Sequence, residues 1–334
     1  MRPFVKYLAI IVLLLGFIFV IWFTLFLRSH FIILTPEGSG PDMTLTGAIG
    51  DFIGGVVGTA FSFAATLLLV VTLMEQNHQN KRNIFVQSYY EMLHVHADHV
   101  RQLVFNKRDK SYKGREVFAQ LIISYNLIYD YVDRFVQNIL NGGLQGKKDE
   151  KEIISYLTNT EKRMLLTMRL AYGYFFYGSD YYRLQYYTED VEKTVEESIL
   201  SISKKNQFYT KGHHVILGHY FRHMFQMIQY IIKADYLDEN ERYTYAKQLR
   251  AQLDDDEQLL LYYDAMADVG NEWLMPSFID EDVKKVADMC PMARFRMIKN
   301  IPASSVVKGL DPSVQFSQEI EYYKKHSVDF FEQR

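Results

Sequence analysis

The residues in this chain best suited to chemistry are its clustered histidines. His94, His96 and His99 fall within six residues, and His219 and His223 are four apart. On a helix, an i, i+4 histidine pair lies on one face and can hold a metal ion. Zinc needs a third protein ligand, and no carboxylate or thiol beside this pair completes a set. The pair reads His219-Tyr220-Phe221-Arg222-His223, without the glutamate of a HExxH protease. A hydrogen-bonded structural role is therefore expected, with no metal and no cofactor.

Charged residues make a second constellation. Arg250 and Glu257 are seven apart, two turns of one helix, and Arg222 lies on a neighbouring predicted helix. A buried network joining the helices, or an anion site, would use both arginines for bidentate bonds. His219, Arg222, His223, Arg250 and Glu257 thus form a candidate structural or signal-binding site. An aromatic run, Tyr172-Gly173-Tyr174-Phe175-Phe176-Tyr177 with Tyr181-Tyr182 and Tyr186-Tyr187, has the chemistry to stack a base. At helical spacing, such rings more often fill a core. No GxxxxGK[ST] or GxGxxG loop occurs, which excludes the common phosphate cradles. No catalytic residues emerge. Cys290 is the only cysteine, so an intramolecular disulfide is excluded and a buried thiol is expected. The chain has 37 basic and 40 acidic residues, which leaves no basic excess for nucleic acid.

The elements that position these residues follow from apolar patterning. Phe52 to Met74 carries no charge. That run makes about 34 Å of helix, against a bilayer core of about 30 Å. Gly50, Gly54, Gly58 and Ser62 recur every fourth position along it, a small face on which another helix can pack closely in lipid, either the first span or a second copy. Asp51 sits at the edge of the run. It either caps the first helical turn or, in an oligomer, contributes to a ring of carboxylates at a pore mouth. Tyr7 to Leu27 is also uncharged, bounded by Lys6 and Arg28, with Tyr7 and Trp22 near its ends. It is too long for the apolar region of a signal peptide.

Two transmembrane helices are therefore expected, at about 7–27 and 49–74, within an anchor over residues 1–79. The loop 28–46 holds Pro36, Gly38, Ser39, Gly40 and Pro41, a turn-rich connector. Arg2 and Lys6 precede the first span, Lys81 and Arg82 follow the second, and the loop has only Arg28. The positive-inside rule then puts both termini in the cytoplasm and the loop outside. Residues 80–334 form the cytosolic domain. No proline occurs between Pro41 and Pro276, which favours long helices. Leu121, Tyr125, Ile128, Val132, Phe135 and Ile139 recur at threes and fours, and 153–177, 214–232 and 243–267 read as helices in the same way. Asn141-Gly142-Gly143 breaks the pattern. No strand is evident. The fold class is all-α.

Several blocks carry a family resemblance. They are Gly50-Asp51-Phe52-Ile53-Gly54-Gly55, Thr72-Leu73-Met74-Glu75-Gln76, Gly218-His219-Tyr220-Phe221-Arg222-His223, Arg250-Ala251-Gln252-Leu253 and Glu257-Gln258-Leu259-Leu260-Leu261-Tyr262-Tyr263. In that order they resemble the bacterial phage abortive infection (AbiC-like) proteins. Asp254-Asp255-Asp256 departs from the serine-containing turn usual there. The resemblance implies an inner-membrane protein of anti-phage defence and carries over no catalytic residue. The Arg-x4-His spacing of many helical anti-phage ribonucleases is absent. The leading expectation is a membrane effector: the helical domain senses infection, directly or through a partner, and the spans oligomerise or rearrange to breach the inner membrane. The bilayer, further copies of the chain and a trigger protein of the phage or a neighbouring defence operon are the expected partners. The alternatives are a membrane-anchored enzyme acting on nucleic acid or nucleotide, and a membrane-tethered interaction module.

Overall fold

The computed structural model describes residues 2–30, 43–107, 110–143, 150–178, 194–195, 197, 211–267, 269–275, 289–301, 306–307 and 310–331. These are predominantly helical, as the patterning predicts. The chain divides into two compact units, Met1–Gln87 and Ser88–Arg334.

In the first unit, α1 runs Arg2–His30, and α2 begins at Met43, reaching Gln102 as one helix of 60 residues. Among the described residues, one helix, Gly47–Gln102, is long and apolar enough to cross a membrane. α1 offers a shorter apolar stretch, Ile10–Phe26. At 1.5 Å per residue that is about 26 Å, the lower edge of a span. One full-length candidate is therefore present, not two. The loop from 31 to 42 lies outside the described residues. α1 meets α2 through aromatic side chains: Phe17 packs edge-on against Phe61 at 6.2 Å, and Phe23 lies 5.3 Å from Phe52.

In the second unit, a two-stranded antiparallel hairpin follows α2. β1 (Val104–Lys107) pairs with β2 (Lys110–Lys113), Phe105 opposite Tyr112. Its strands are four residues each and lysine-rich, too short to show as an alternating run. α3 (Glu116–Asn138) buries the predicted stripe Leu121, Tyr125, Ile128, Val132 and Phe135. It ends in a π-turn, Ile139–Gly143, where Gly142 adopts φ 97°, a left-handed value that glycine takes without penalty. α4 (Glu150–Thr158) and α5 (Thr160–Tyr177) divide what reads as one helix over 153–177. Asn159 makes the break: its side chain accepts the Lys162 N–H at 3.1 Å and caps α5.

α6 (His214–Lys233) matches its expected range closely. α7 (Glu239–Arg250) and α8 (Asp255–Met266) replace one expected helix over 243–267. α8 is buried on every side from Glu257 to Met266 and forms the centre of the unit, with α3 and α5 against it. Tyr125 of α3, Phe175 of α5 and Tyr263 of α8 meet there, the Tyr125 and Tyr263 rings 4.5 Å apart. Shorter helices close the chain: α9 (Pro291–Arg294), α10 (Pro312–Gln315) and α11 (Ser317–Lys325). Cys290 is a buried free thiol at the start of α9, its pKa pushed up to about 11 by burial.

Candidate functional site

The site is built where the start of α8 meets α6, α3 and the end of α2. Asp254 caps α8 by accepting the Glu257 N–H at 2.8 Å, and Glu257 accepts the Asp254 N–H at 2.7 Å. This reciprocal capping box lets the chain turn sharply after Leu253 and start a new helix. In most such boxes the glutamate is solvated. Here Glu257 is fully buried. Its second oxygen accepts a hydrogen bond from the Tyr220 hydroxyl at 2.8 Å, and the Arg115 Nε lies 3.7 Å from the capping oxygen. Burial is the largest influence and raises the Glu257 pKa to about 7, against the pull of the capping N–H, the hydroxyl and Arg115.

Beside this carboxyl lies the histidine group. His96 is completely buried, its ring 5.1 Å from Tyr220 and 6.2 Å from His223. His99 contacts the His223 ring at 5.2 Å. The His223 Nε2 lies 2.9 Å from the Met92 carbonyl and so carries the proton. Neither ring nitrogen of His96 has a hydrogen-bond partner. Burial first, then His223, His99 and Arg115, lower the His96 pKa to about 4. His99 is lowered by burial, His223 and His219. At neutral pH, His96 is therefore an uncharged ring. Among the described residues, no group of three or more His, Cys, Asp and Glu side chains is arranged to hold a metal ion.

The expected constellation is brought together only in part. His223 joins the cluster, while His219 and His94 are exposed. Arg222 is exposed and does not meet Glu257. The reason is helical geometry: Tyr220 faces Glu257, and a residue two positions on points about 200° away. Arg115, which heads α3, supplies the guanidinium instead. Arg250 is buried but lies at the end of α7, beyond the break, and serves another segment. Its guanidinium donates to the carbonyls of Phe295 and Arg296, both at 3.0 Å, at the end of α9. Arg294 there makes a two-pronged ion pair with Glu239 at 2.6 and 2.8 Å.

A second buried acid escaped the sequence reading. Asp264 on α8 accepts the Tyr172 hydroxyl at 2.8 Å, and burial raises its pKa to about 7. Gly270 folds against it so closely that any side chain would collide with the Asp264 carboxylate. Tyr172, Tyr174, Phe175 and Phe176 are all buried core residues, not a stacking platform. Tyr181, Tyr182, Tyr186 and Tyr187 lie outside the described residues. An acid–tyrosine pair of this kind leaves no sequence signature, because its members are 92 residues apart.

In the first unit, Gly50, Gly54, Gly58 and Ser62 are exposed on α2. A Cβ added at any of these three glycines would meet nothing within 4 Å. Within one chain, the small face is uncovered. Asp51 is exposed and lies eight residues inside α2, whose first turn holds no acid. It does not cap the helix.

The buried acid–tyrosine–histidine cluster takes Tyr220, His223 and Glu257 from a single stretch of chain, which also holds the second acid, Asp264. Residues 212–281 match the family model of the putative phage abortive infection proteins. The matched segment includes three of the five resembling blocks in full, those at 218–223, 250–253 and 257–263. The resemblance drawn from those blocks therefore holds over this segment. No curated protein and no solved structure matches the chain.

Proposed function

We propose that this protein is a bacterial inner-membrane effector of abortive infection, in which the helical unit registers infection and the N-terminal helices permeabilise the membrane. The anti-phage role comes from the matched segment. The observation that carries the membrane step is the outward apolar surface of the first unit. Leu14, Leu15, Phe17 and Ile18 on α1, and Leu69 and Leu73 on α2, are all more than half exposed. Water disfavours so continuous an apolar surface, whereas hydrocarbon accepts it.

In this reading α2 is the main span and α1 a shorter one beside it. Arg2, Lys6, Lys81 and Arg82 hold both termini in the cytoplasm. The uncovered face of Gly50, Gly54, Gly58 and Ser62 receives a second copy, and Asp51 joins a ring at the outer mouth of the assembly. α2 also carries His96 and His99, so a change at the buried cluster has a covalent path to the span. The trigger is a protein of the phage or of the host defence locus.

The test is entry of a membrane-impermeant dye into cells carrying the intact gene, during phage challenge. Dye entry before lysis, absent from cells lacking the gene, is the expected result. Protection from phage with no change in permeability would overturn the membrane step and leave the anti-phage role standing.

A further inference from the structure

Away from the buried cluster, the second unit has an open cleft of about 590 Å³. β1 contributes Val104, Phe105, Asn106 and Lys107; α3 contributes Ser124, Leu127 and Ile128; the approach to α6 contributes Lys211, Gly212 and His213. Gly212 is pressed against the Tyr177 backbone, where no side chain fits. That contact, with the Gly178–Lys211 bridge, fixes the chain as it enters α6.

Two lysines and a helix N-terminus give this cleft one electrostatic sign. The charges of Lys107 and Lys211 both act on His213, and among the described residues neither lysine has an ion-pair partner. α6 is a 20-residue helix whose N-terminus opens here without a side-chain cap. The N–H groups of His214 and Val215 make no hydrogen bond among the described residues. Helix N-termini present such free donors with a partial positive charge. The independent observation is His213 itself. It is 9 % exposed, sits on the cleft wall between Phe105 and Phe175, and among the described residues its ring nitrogens have no hydrogen-bond partner. Burial, then the two lysines, keep it uncharged at neutral pH, so it offers one N–H. A largely buried imidazole whose N–H reaches the cleft without a protein acceptor is free to donate to a ligand there.

Apart from Asn106 and Ser124, the rest of the wall is apolar, and part of it is open to solvent. Leu127 is 61 % exposed and Val215 71 % exposed. The cleft also falls within the range of about 300–1,000 Å³ usual for small-molecule sites. We propose that it binds a phosphate monoester carried on an apolar or aromatic body of nucleotide size. The phosphate would sit between Lys107, Lys211, His213 and the first N–H groups of α6, and the body against Phe105, Leu127 and Val215. This inference is independent of the membrane reading.

The experiment is isothermal titration of the detergent-solubilised full chain with AMP, hexyl phosphate, inorganic phosphate and adenosine. AMP or hexyl phosphate should bind saturably, and the better of the two shows whether the body is aromatic or aliphatic, as in a nucleotide or a lipid. Adenosine should bind at least about tenfold more weakly than AMP, because the charge-assisted contacts are lost. Lys107→Gln with Lys211→Gln should weaken binding by about tenfold or more without changing the melting temperature. His213→Phe, which keeps the ring contacts, should also weaken it. No saturable binding of any phosphate up to about 1 mM, a free energy near −4 kcal/mol, would overturn the proposal. So would affinity unchanged in the double-lysine variant.

Discussion

Glu257 is a carboxyl group in a place that water does not reach, and its partners decide what that costs. A Tyr220→Phe change leaves one of its oxygens without a donor and should destabilise the protein by about 1–3 kcal/mol. Arg115 is half exposed, so solvent screens its pairing, and Arg115→Ala should cost about 1 kcal/mol or less. Arg222→Ala, on the outer face of α6, should cost less than about 0.5 kcal/mol. Chemical denaturation of the three variants, each also with Glu257→Gln, separates them. Coupling to Glu257 is expected for Tyr220 and Arg115 and should vanish for Arg222. Asp264 makes a pH-dependent case. Its folded pKa is raised from 3.8 to about 7, so its favourable contribution is fully present below pH 4 and is lost as pH rises through 7. The loss amounts to at most about 4 kcal/mol. Asp264→Asn keeps an acceptor for Tyr172 but cannot ionise. Its melting temperature relative to the parent should climb from pH 5 to pH 8. His96, lowered from 6.5 to about 4, acts in the opposite direction and costs stability as pH falls below 6.5. A flat Asp264→Asn difference across that range would mean that Asp264 is not held neutral.

At the scale of elements, much of the architecture is visible in the sequence. The stripe from Leu121 to Phe135 is the buried face of α3, and the apolar run of 214–232 is α6. What is hidden are breaks inside helical patterns. Residues 243–267 keep an unbroken supply of helix-forming side chains, and no proline or glycine marks a stop before 270. The stop is a capping box in which Asp254 is the cap and Glu257 its partner, a motif four residues long. Asn159 does the same between α4 and α5. Once the break is placed, Arg250 and Glu257 belong to different helices and cannot form the pair that their spacing suggests. The buried site is illegible for a related reason. Arg115, Tyr220 and Glu257 come from three elements, and only packing brings them together. Asp254→Ala should therefore cost about 1–2 kcal/mol through the lost cap, while Asp254→Asn, which keeps a capping oxygen, should be nearly neutral. Equal losses on thermal unfolding would mean that the break rests on packing alone.

At the scale of the whole molecule, the proposed membrane step turns on a partner for the small face of α2. Aromatic contacts join α1 to α2 at Phe52 and Phe61, yet Gly50, Gly54 and Gly58 have nothing within 4 Å of where a Cβ would stand. In lipid, association comes from close backbone packing, so bulk at this face should block it. Gly54→Leu adds that bulk and keeps the helix apolar. Because its own chain leaves space there, the monomer has no clash to relieve, and the variant should reach the membrane fraction at the parental level. Crosslinked oligomers and dye entry on phage challenge should both be lost. Asp51→Asn, similar in size but uncharged, should leave oligomers intact and change conductance in planar bilayers. Gly54→Leu cells that admit dye as the parent does would show that the breach does not depend on packing through this face.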